Sequence, residues 1–133
     1  MTLRSLDPTG WMPPRGYTNG VVTSGRLVVL AGQIGWNPAS GTFETDDFVL
    51  QVRQALVNIA ALLAEAGAEA SHLVRLTWFI IDRDAYLAQM REIGEAYRDV
   101  MGRHYPPMSV VVVSGLIEPR ALVEIEATAV LPE

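Results

Sequence analysis

The sequence predicts an α+β domain whose elements follow the order ββαβαββ. Two long segments repeat apolar residues at helical spacing, and they alternate with runs rich in β-branched and aromatic residues. The four valines at 110–113 do not alternate with polar residues, so we expect that strand to be buried on both sides. In such a mixed sheet we expect two helices on one face, and the other face then needs a cover. Another subunit is the simplest candidate.

The chain is predicted to be one domain over residues 1–133, because it shows no repeat, low-complexity segment or linker. Residues 1–15 are expected to form an irregular arm, since they contain Pro8, Gly10, Pro13 and Pro14. Apolar runs at 21–22 and 27–34 follow, with Ser24 and Gly25 between them. This spacing predicts a β-hairpin, because glycine adopts the positive φ of tight turns.

The first helix is predicted over residues 47–66. Asp46 or Asp47 can cap its first turn and Gly67 can end it. Its apolar face consists of Phe48, Val52, Leu56, Ile59 and Leu63.

The second half of the chain is expected to contain a strand over residues 73–81, a helix over 84–101 and two closing strands. Gly102 is expected to end the helix. The predicted inner face of this helix consists of Leu87, Met90, Gly94, Tyr97 and Met101.

Composition excludes several functional classes. The formal net charge is −5, and the basic residues are scattered, which disfavours a nucleic-acid partner. There are no cysteines, so thiolate metal sites and a cysteine nucleophile are ruled out. His72 and His104 lack metal-ligand spacing. The first residues lack a signal-peptide pattern, and no apolar run reaches the ~20 residues that span a bilayer. We therefore expect a cytoplasmic protein with no metal and no membrane partner.

Four motifs together resemble the RidA (reactive intermediate deaminase) family, from Gly16 to Val130. The family's closing motifs are an aromatic-Pro-x-Arg-Ser turn entering a strand and a final Glu-x-Glu-Ala strand. The segments that carry the resemblance are Gly16-Tyr17-x-x-Gly20, Ala31-Gly32-Gln33-Ile34, Tyr105-Pro106-Pro107-Met108-Ser109 and Glu124-Ile125-Glu126-Ala127.

The resemblance implies a chorismate-mutase-like fold, a homotrimer and ligand sites in the clefts between subunits. Well-known members hydrolyse 2-imino or enamino acids to keto acids and ammonia, without a cofactor. The turn arginine grips the substrate carboxylate and a glutamate handles water. With one extra residue in the loop before the last strand, that glutamate is Glu124. Tyr17 and the backbone at Gly32 and Ser109 would orient the ligand.

This chain departs from the pattern in the same pocket. Met108 replaces the carboxylate-binding arginine, Ala31 replaces a serine, and Val110 replaces a common cysteine. Arg91 stands where many members have an asparagine. Replacing a guanidinium fork by a thioether removes a contact worth roughly 1.5–3 kcal/mol. The usual grip on a 2-imino acid is therefore incompatible with Met108.

Three interpretations of Met108 remain open. Methionine can fill an apolar gap in an unused pocket, or it can line a pocket adapted to a less charged ligand. Alternatively the acid substrate is kept and Arg91 or Arg120 takes over the carboxylate. For Arg91 the simpler alternative is an exposed arginine on a helix.

Glu124 and Glu126 are two residues apart on a strand, so both should point to one face. Spacing alone is typical of a solvated sheet face. The resemblance instead assigns Glu124 a water-handling role and leaves Glu126 open. The expected function is hydrolysis of an imine, enamine or related C–N bond. The alternative is a non-catalytic module that binds a small molecule in the same clefts, and a third possibility is the ribonuclease activity attached to some family members.

Overall fold

The computed structural model describes residues 3–133. Within these residues, nine strands and helices follow one another, with one 3₁₀ turn at Ala70–His72 before the fourth strand. The strands and helices are β1 (Arg4–Ser5), β2 (Val21–Val22), β3 (Arg26–Ile34), α1 (Phe48–Glu65), β4 (Leu73–Ile80), α2 (Arg83–Ala88), α3 (Met90–Met101), β5 (Met108–Val112) and β6 (Val123–Leu131).

The main sheet has four strands in the order β3-β6-β4-β5. Strands β4 and β5 run parallel, whereas β6 pairs antiparallel with both β3 and β4. The helices α1 and α3 pack on one face, where alternate residues of β4 and β6 form the core. This arrangement confirms the predicted α+β fold with a mixed sheet covered by helices on one side.

The predicted hairpin between residues 21–22 and 27–34 is wrong. Strand β2 pairs with β1, in the segment expected to be irregular, and β3 pairs with β6. Gly25 explains the difference, because it has a φ of +146° and a Cβ there would lie 2.0 Å from the carbonyl oxygen of Leu131. The glycine permits a close approach to the end of β6 and does not form a hairpin turn.

Helix α1 begins and ends as predicted. Asp47 caps it by accepting a hydrogen bond from the Leu50 backbone, and Gly67 follows its end with a φ of +76°. The helix has the length and apolar composition of a membrane-spanning segment. Val52, Leu56 and Ile59 are nevertheless fully buried against the sheet, which is the ordinary place of a core helix in a two-layer domain.

The predicted second helix is interrupted. Gln89 has φ −125° and ψ 23°, so α2 ends at Ala88 and α3 starts at Met90. The break changes which side chains face the core: Ile93 and Ala96 are buried, while the predicted inner residues Leu87 and Met90 are exposed. Of the predicted inner face, Tyr97 and Met101 are buried as expected.

Strand β5 is covered on one side only within the chain. Met108 and Val110 pack against the core beneath the helices, whereas Val111 points to the other face and is exposed. The expected burial of residues 110–113 on both sides is therefore not met by a single copy. The exposed face of the sheet, called here the open face, carries Leu27, Val29, Phe79, Ser109, Val111, Glu124 and Glu126.

Candidate functional site

Glu124 lies on the open face, in the middle of the sheet. Strand β6 pairs it with Ile34 on one side and Phe79 on the other, and alternation puts Glu126 on the same face. The side chain is half-buried. Within residues 3–133 no donor or basic side chain is bonded to its carboxylate. Its lone pairs are therefore free to accept hydrogen bonds from a ligand or from water.

Gly32 makes room for this carboxylate. A Cβ at Gly32 would lie 2.3 Å from Oε2 of Glu124, far inside van der Waals contact. The register of β3 against β6 shifts between Leu30 and Gln33, so the backbone at Gly32 belongs to a bulge. Bulges commonly redirect side chains next to functional sites. Gly32 and the Glu124 side chain are therefore in direct contact across the two strands.

Met108 lines a different space, called here the Met108 cavity. It lies on the helix side of the sheet and has a volume of about 290 Å³. Most of its wall is aromatic or apolar, and its lining includes two arginines and no carboxylate. The lining residues are Arg15, Gly16, Trp78, Tyr86, Met90, Ile93, Gly94, Tyr97, Arg98, Tyr105 and Met108.

Two stacked tyrosines form one wall of the cavity. The rings of Tyr97 and Tyr105 have centroids 5.5 Å apart and are inclined by 20°. The Tyr97 hydroxyl donates to the carbonyl oxygen of His104 at 2.6 Å. Burial, together with the neighbouring Tyr105 hydroxyl, raises the pKa of Tyr97 well above its ordinary value. Burial also raises the pKa of Tyr86. Both phenols therefore stay neutral at physiological pH.

Trp78 contributes an unpaired donor. Its side chain is almost fully buried, and its indole N–H has no hydrogen-bond partner within residues 3–133. An unsatisfied buried donor costs about 1–3 kcal/mol. Its place in β4 brings Trp78 into the lining of the cavity.

Arg98 is the arginine that the sequence analysis missed. It is half-buried on α3 and takes part in no ion pair within the described chain. A Cβ at Gly94 would lie 3.2 Å from Nη1 of Arg98, so the guanidinium folds back over the preceding turn, onto a residue that lines the cavity. In the sequence, the only indication that Arg98 turns toward the cavity is a glycine four residues before it on the same helix, Gly94.

Neither arginine proposed from the sequence lies in the lining of the Met108 cavity. The Arg91 side chain is 86% exposed and contacts Glu95 at 3.5 Å, as expected of a solvated helix residue. Arg120 donates to Asp46 at 2.7 Å and lies over the ring of Phe43, 5.5 Å from its centroid. Its guanidinium is therefore occupied at the other end of the sheet, in the loop that precedes α1.

Tyr17 and Ser109 lie beside the cavity and not in it. Tyr17 is exposed and lines a neighbouring depression with Thr18 and Pro106. Thr18 fastens this segment by hydrogen bonds to the backbone of Tyr105 and Pro106. Ser109, in β5, pairs with Thr77 of β4 and faces the open side of the sheet.

The predicted site residues are therefore divided between the two faces of the sheet. Met108 pairs with Leu76, which pairs with the core residue Ala127. Glu124 is an odd number of residues from Ala127 on the same strand and points the opposite way. One copy of the chain cannot bring Met108 and Glu124 to a common ligand.

The histidines have structural partners. A ring nitrogen of His104 lies 2.8 Å from the carbonyl oxygen of Leu73, and His72 Nδ1 accepts from the Glu69 backbone. Among residues 3–133, no three His, Cys, Asp or Glu side chains are grouped closely enough to hold a metal ion.

This fold, with a glutamate placed against a backbone bulge, belongs to a recognised class of small α+β proteins. The sequence profile of the Endoribonuclease L-PSP family matches residues 11–131. The chain belongs to this family, which is also the family of the RidA and YjgF proteins. Its fold is the one these proteins share.

Individual relatives agree with this assignment. A RutC family protein of Haemophilus influenzae is 37% identical over 109 residues, covering 82% of each chain. The 2-iminobutanoate/2-iminopropanoate deaminase of Capra hircus is 30% identical over 114 residues, covering 86% of this chain and 79% of the goat protein. The crystal structure of a Rid-family protein of unknown function from Yersinia pestis superposes with a TM-score of 0.86 at 31% identity, covering 98% of this chain and 100% of that one.

Proposed function

We propose that this protein is a RidA-like hydrolase that acts on an imine, enamine or related C–N bond, in sites built between copies of the chain. The observation that carries the proposal is the division of the site between two faces of one sheet. Glu124 from the open face of one copy would meet the Met108 cavity of a neighbour. The deaminase among the relatives supports the reaction class at the level of the family.

A homotrimer is the proposed assembly. The open face exposes Leu27, Val29 and Val111, whose apolar side chains would be covered by neighbouring copies. Three copies related by a threefold axis give three equivalent contacts and close the assembly. Each contact would then complete one site.

Glu124 is the proposed catalytic base. Its carboxylate would take a proton from water as the water oxygen attacks the electrophilic carbon of the C=N bond. The proton would then pass to nitrogen to give a carbinolamine. Transfer of the carbinolamine hydroxyl proton to nitrogen, again through Glu124, would break the C–N bond and give a carbonyl compound and ammonia. Gly32 leaves space for the carboxylate, and its backbone is proposed to orient the ligand. Tyr17 and Ser109 would orient the ligand from the edges of the cleft.

Specificity is proposed to differ from that of the usual 2-imino acid deaminases, because Met108 cannot form the charge-assisted fork of an arginine. The chemistry needs neither cofactor nor metal, and the proposed location is the cytoplasm.

The test is ammonia and keto-acid release from enzymatically generated 2-iminopropanoate, by the parent and by Met108→Arg. We expect little release by the parent and clear release by the variant, as a hydrolytic site with altered specificity requires. Efficient release by the parent would contradict the altered specificity. If neither protein releases ammonia or keto acid, a non-catalytic function is favoured.

The second candidate is a non-catalytic small-molecule sensor. It is favoured by three apolar departures from the family pattern, at Ala31, Met108 and Val110. A ligand that raises the melting temperature without being converted would support it. A ribonuclease, which the family's name suggests, is disfavoured by the net charge of −5. Binding of RNA that weakens with salt would reinstate it.

A further inference from the structure

We propose that the Met108 cavity binds a carboxylate with an aromatic or bulky apolar body, and that Arg98 holds the carboxylate group. The inference rests on the proposed function in that this cavity is taken as one half of the site. It assigns the missing positive charge to Arg98, which lies on the same helix as Arg91, the residue that the sequence suggested.

The walls of the cavity determine the body of the ligand. Tyr105 is partly exposed and is stacked on the almost fully buried Tyr97, and Met108 adds an adaptable thioether surface to the same lining. Trp78 and Ile93 lie below and are almost fully buried. A small polar acid would leave these surfaces unfilled, whereas an aromatic ring can stack on them. The volume of about 290 Å³ accommodates one such ring with a short chain.

The charges of the cavity determine the head group. Both charged residues in the lining are arginines, Arg15 and Arg98, and none is acidic. A cationic ligand would therefore find no counter-ion there. A guanidinium fork matches a carboxylate in the plane of both groups.

Arg98 is chosen over the other arginines because it has no competing partner. On the same helix, Arg91 pairs with Glu95, and Asp99 pairs with Arg53 at 2.9 Å. Arg98 is left unpaired among the described residues. It is also half-buried, so that its contacts are less screened by water than those of the exposed Arg15.

Gly94 positions the guanidinium. Because glycine has no side chain, Arg98 can fold back over the preceding turn toward the cavity. Arg98 thus supplies from the helix the positive charge that the family pattern places at the start of β5. The resulting substrate class is an imino acid that is larger and more apolar than the 2-imino acids named for the goat deaminase, and its product is the corresponding keto acid.

The experiment measures equilibrium binding of 3-phenylpropanoate by calorimetry, with no turnover involved. Two comparison ligands separate the head group from the body: 3-phenylpropanamide has the ring without the charge, and propanoate has the charge without the ring. The proteins are the parent, Arg98→Gln, Arg15→Gln and the matched control Arg91→Gln. Melting temperatures check that each variant is folded.

We expect 3-phenylpropanoate to bind the parent about ten- to a hundredfold more tightly than its amide, the range of one charge-assisted contact. Arg98→Gln should lose that preference while still binding the amide, and Arg91→Gln should behave as the parent.

Three results would overturn the proposal: no saturable binding of the acid, equal affinity for acid and amide, or an unchanged preference in Arg98→Gln. If Arg15→Gln alone loses the preference for the acid over the amide, then Arg15 holds the carboxylate and Arg98 does not. Because the ligand is not converted, an absence of hydrolase activity leaves this inference standing, and failure of binding leaves the role of Glu124 to be tested separately.

Discussion

The two faces of the sheet divide the chemistry of this chain. On the open face, Glu124 has a glycine beside it and no hydrogen-bonded donor among residues 3–133, and it lies outside the lining of the Met108 cavity. On the helix side, the Met108 cavity has aromatic walls and two arginines, but it has no carboxylate to activate water. Each half lacks what the other supplies. The fold therefore positions reactive and binding groups separately, and assembly is what would unite them.

The largest expected effect follows from removing the base. Glu124→Gln keeps the shape of the side chain and loses its basicity, so turnover should fall by about a hundredfold or more. Binding of 3-phenylpropanoate in the Met108 cavity should be retained, because Arg98 and not Glu124 holds the carboxylate. Steady-state kinetics and calorimetry on the same samples separate the two effects. Unreduced turnover would remove Glu124 from the mechanism.

A charge on the open face should break the assembly. In Val111→Asp, an unpaired carboxylate would have to be buried against a neighbouring copy, which is strongly unfavourable. We expect sedimentation analysis to show smaller species than the parent forms, with loss of turnover. Val57→Asp is the matched control, since Val57 is exposed to a similar degree on α1. If both variants retain the mass of the parent, the open face is not the interface.

Two glycine variants compare the halves directly. In Gly32→Ala the new Cβ meets the Glu124 carboxylate, and displacement of a catalytic group by about 1 Å can cost up to a hundredfold in rate. In Gly94→Ala the nearest atom is the mobile Nη1 of Arg98, so the helix should gain about 1 kcal/mol in stability.

The variants should therefore fail differently. Gly32→Ala should lower kcat and spare acid binding, whereas Gly94→Ala should raise the melting temperature and weaken acid binding by several-fold. If both variants lose kcat and acid binding to the same extent, the Glu124 side and the Met108 cavity do not act as two separate halves of the site.

The smallest expected effect concerns Tyr97. Its pKa is raised in the folded chain above the ordinary value of 10.0, so the protonated phenol stabilises the fold fully below that pH. This contribution is lost as pH rises from about 10 toward the higher folded pKa. Tyr97→Phe lacks both the titration and the hydrogen bond to His104, worth about 1 kcal/mol.

Urea unfolding at pH 7 and pH 11 measures how the stability difference between the parent and Tyr97→Phe changes with pH. The parent should be the more stable protein at pH 7, and its advantage over Tyr97→Phe should shrink at pH 11. A constant difference between the two proteins at both pH values would contradict it.

The sequence predicted those elements whose signals are local. Asp47 and Gly67 mark the ends of α1, and the alternation of residues 123–130 put Glu124 and Glu126 on one face. The false hairpin shows the limit of such signals. Gly25 is suited to a turn, but its φ serves a contact with Leu131, which is 106 residues away, and only the folded sheet shows that contact.

The site was harder to predict than the fold. The resemblance pointed to Gly32 and Glu124 as separate site residues, and only the folded sheet shows that they are in contact. The sequence could not separate Met108 from Glu124, because that requires the register of three strands. The break at Gln89 has no glycine or proline to announce it, and the break decides which residues of α3 face the cavity. The same break sets the orientation of Arg98, so the sequence alone does not place Arg98 at the cavity.

The most direct test of a shared site uses the absence of cysteine from the chain. The double variant Met108→Cys/Glu124→Cys is treated with a short bismaleimide and run on a denaturing gel, beside each single variant. The account predicts covalent dimers and trimers in the double variant and monomers in the single variants, because the two thiols meet only between copies. A double variant that stays monomeric on the gel, with both thiols modified, would contradict it.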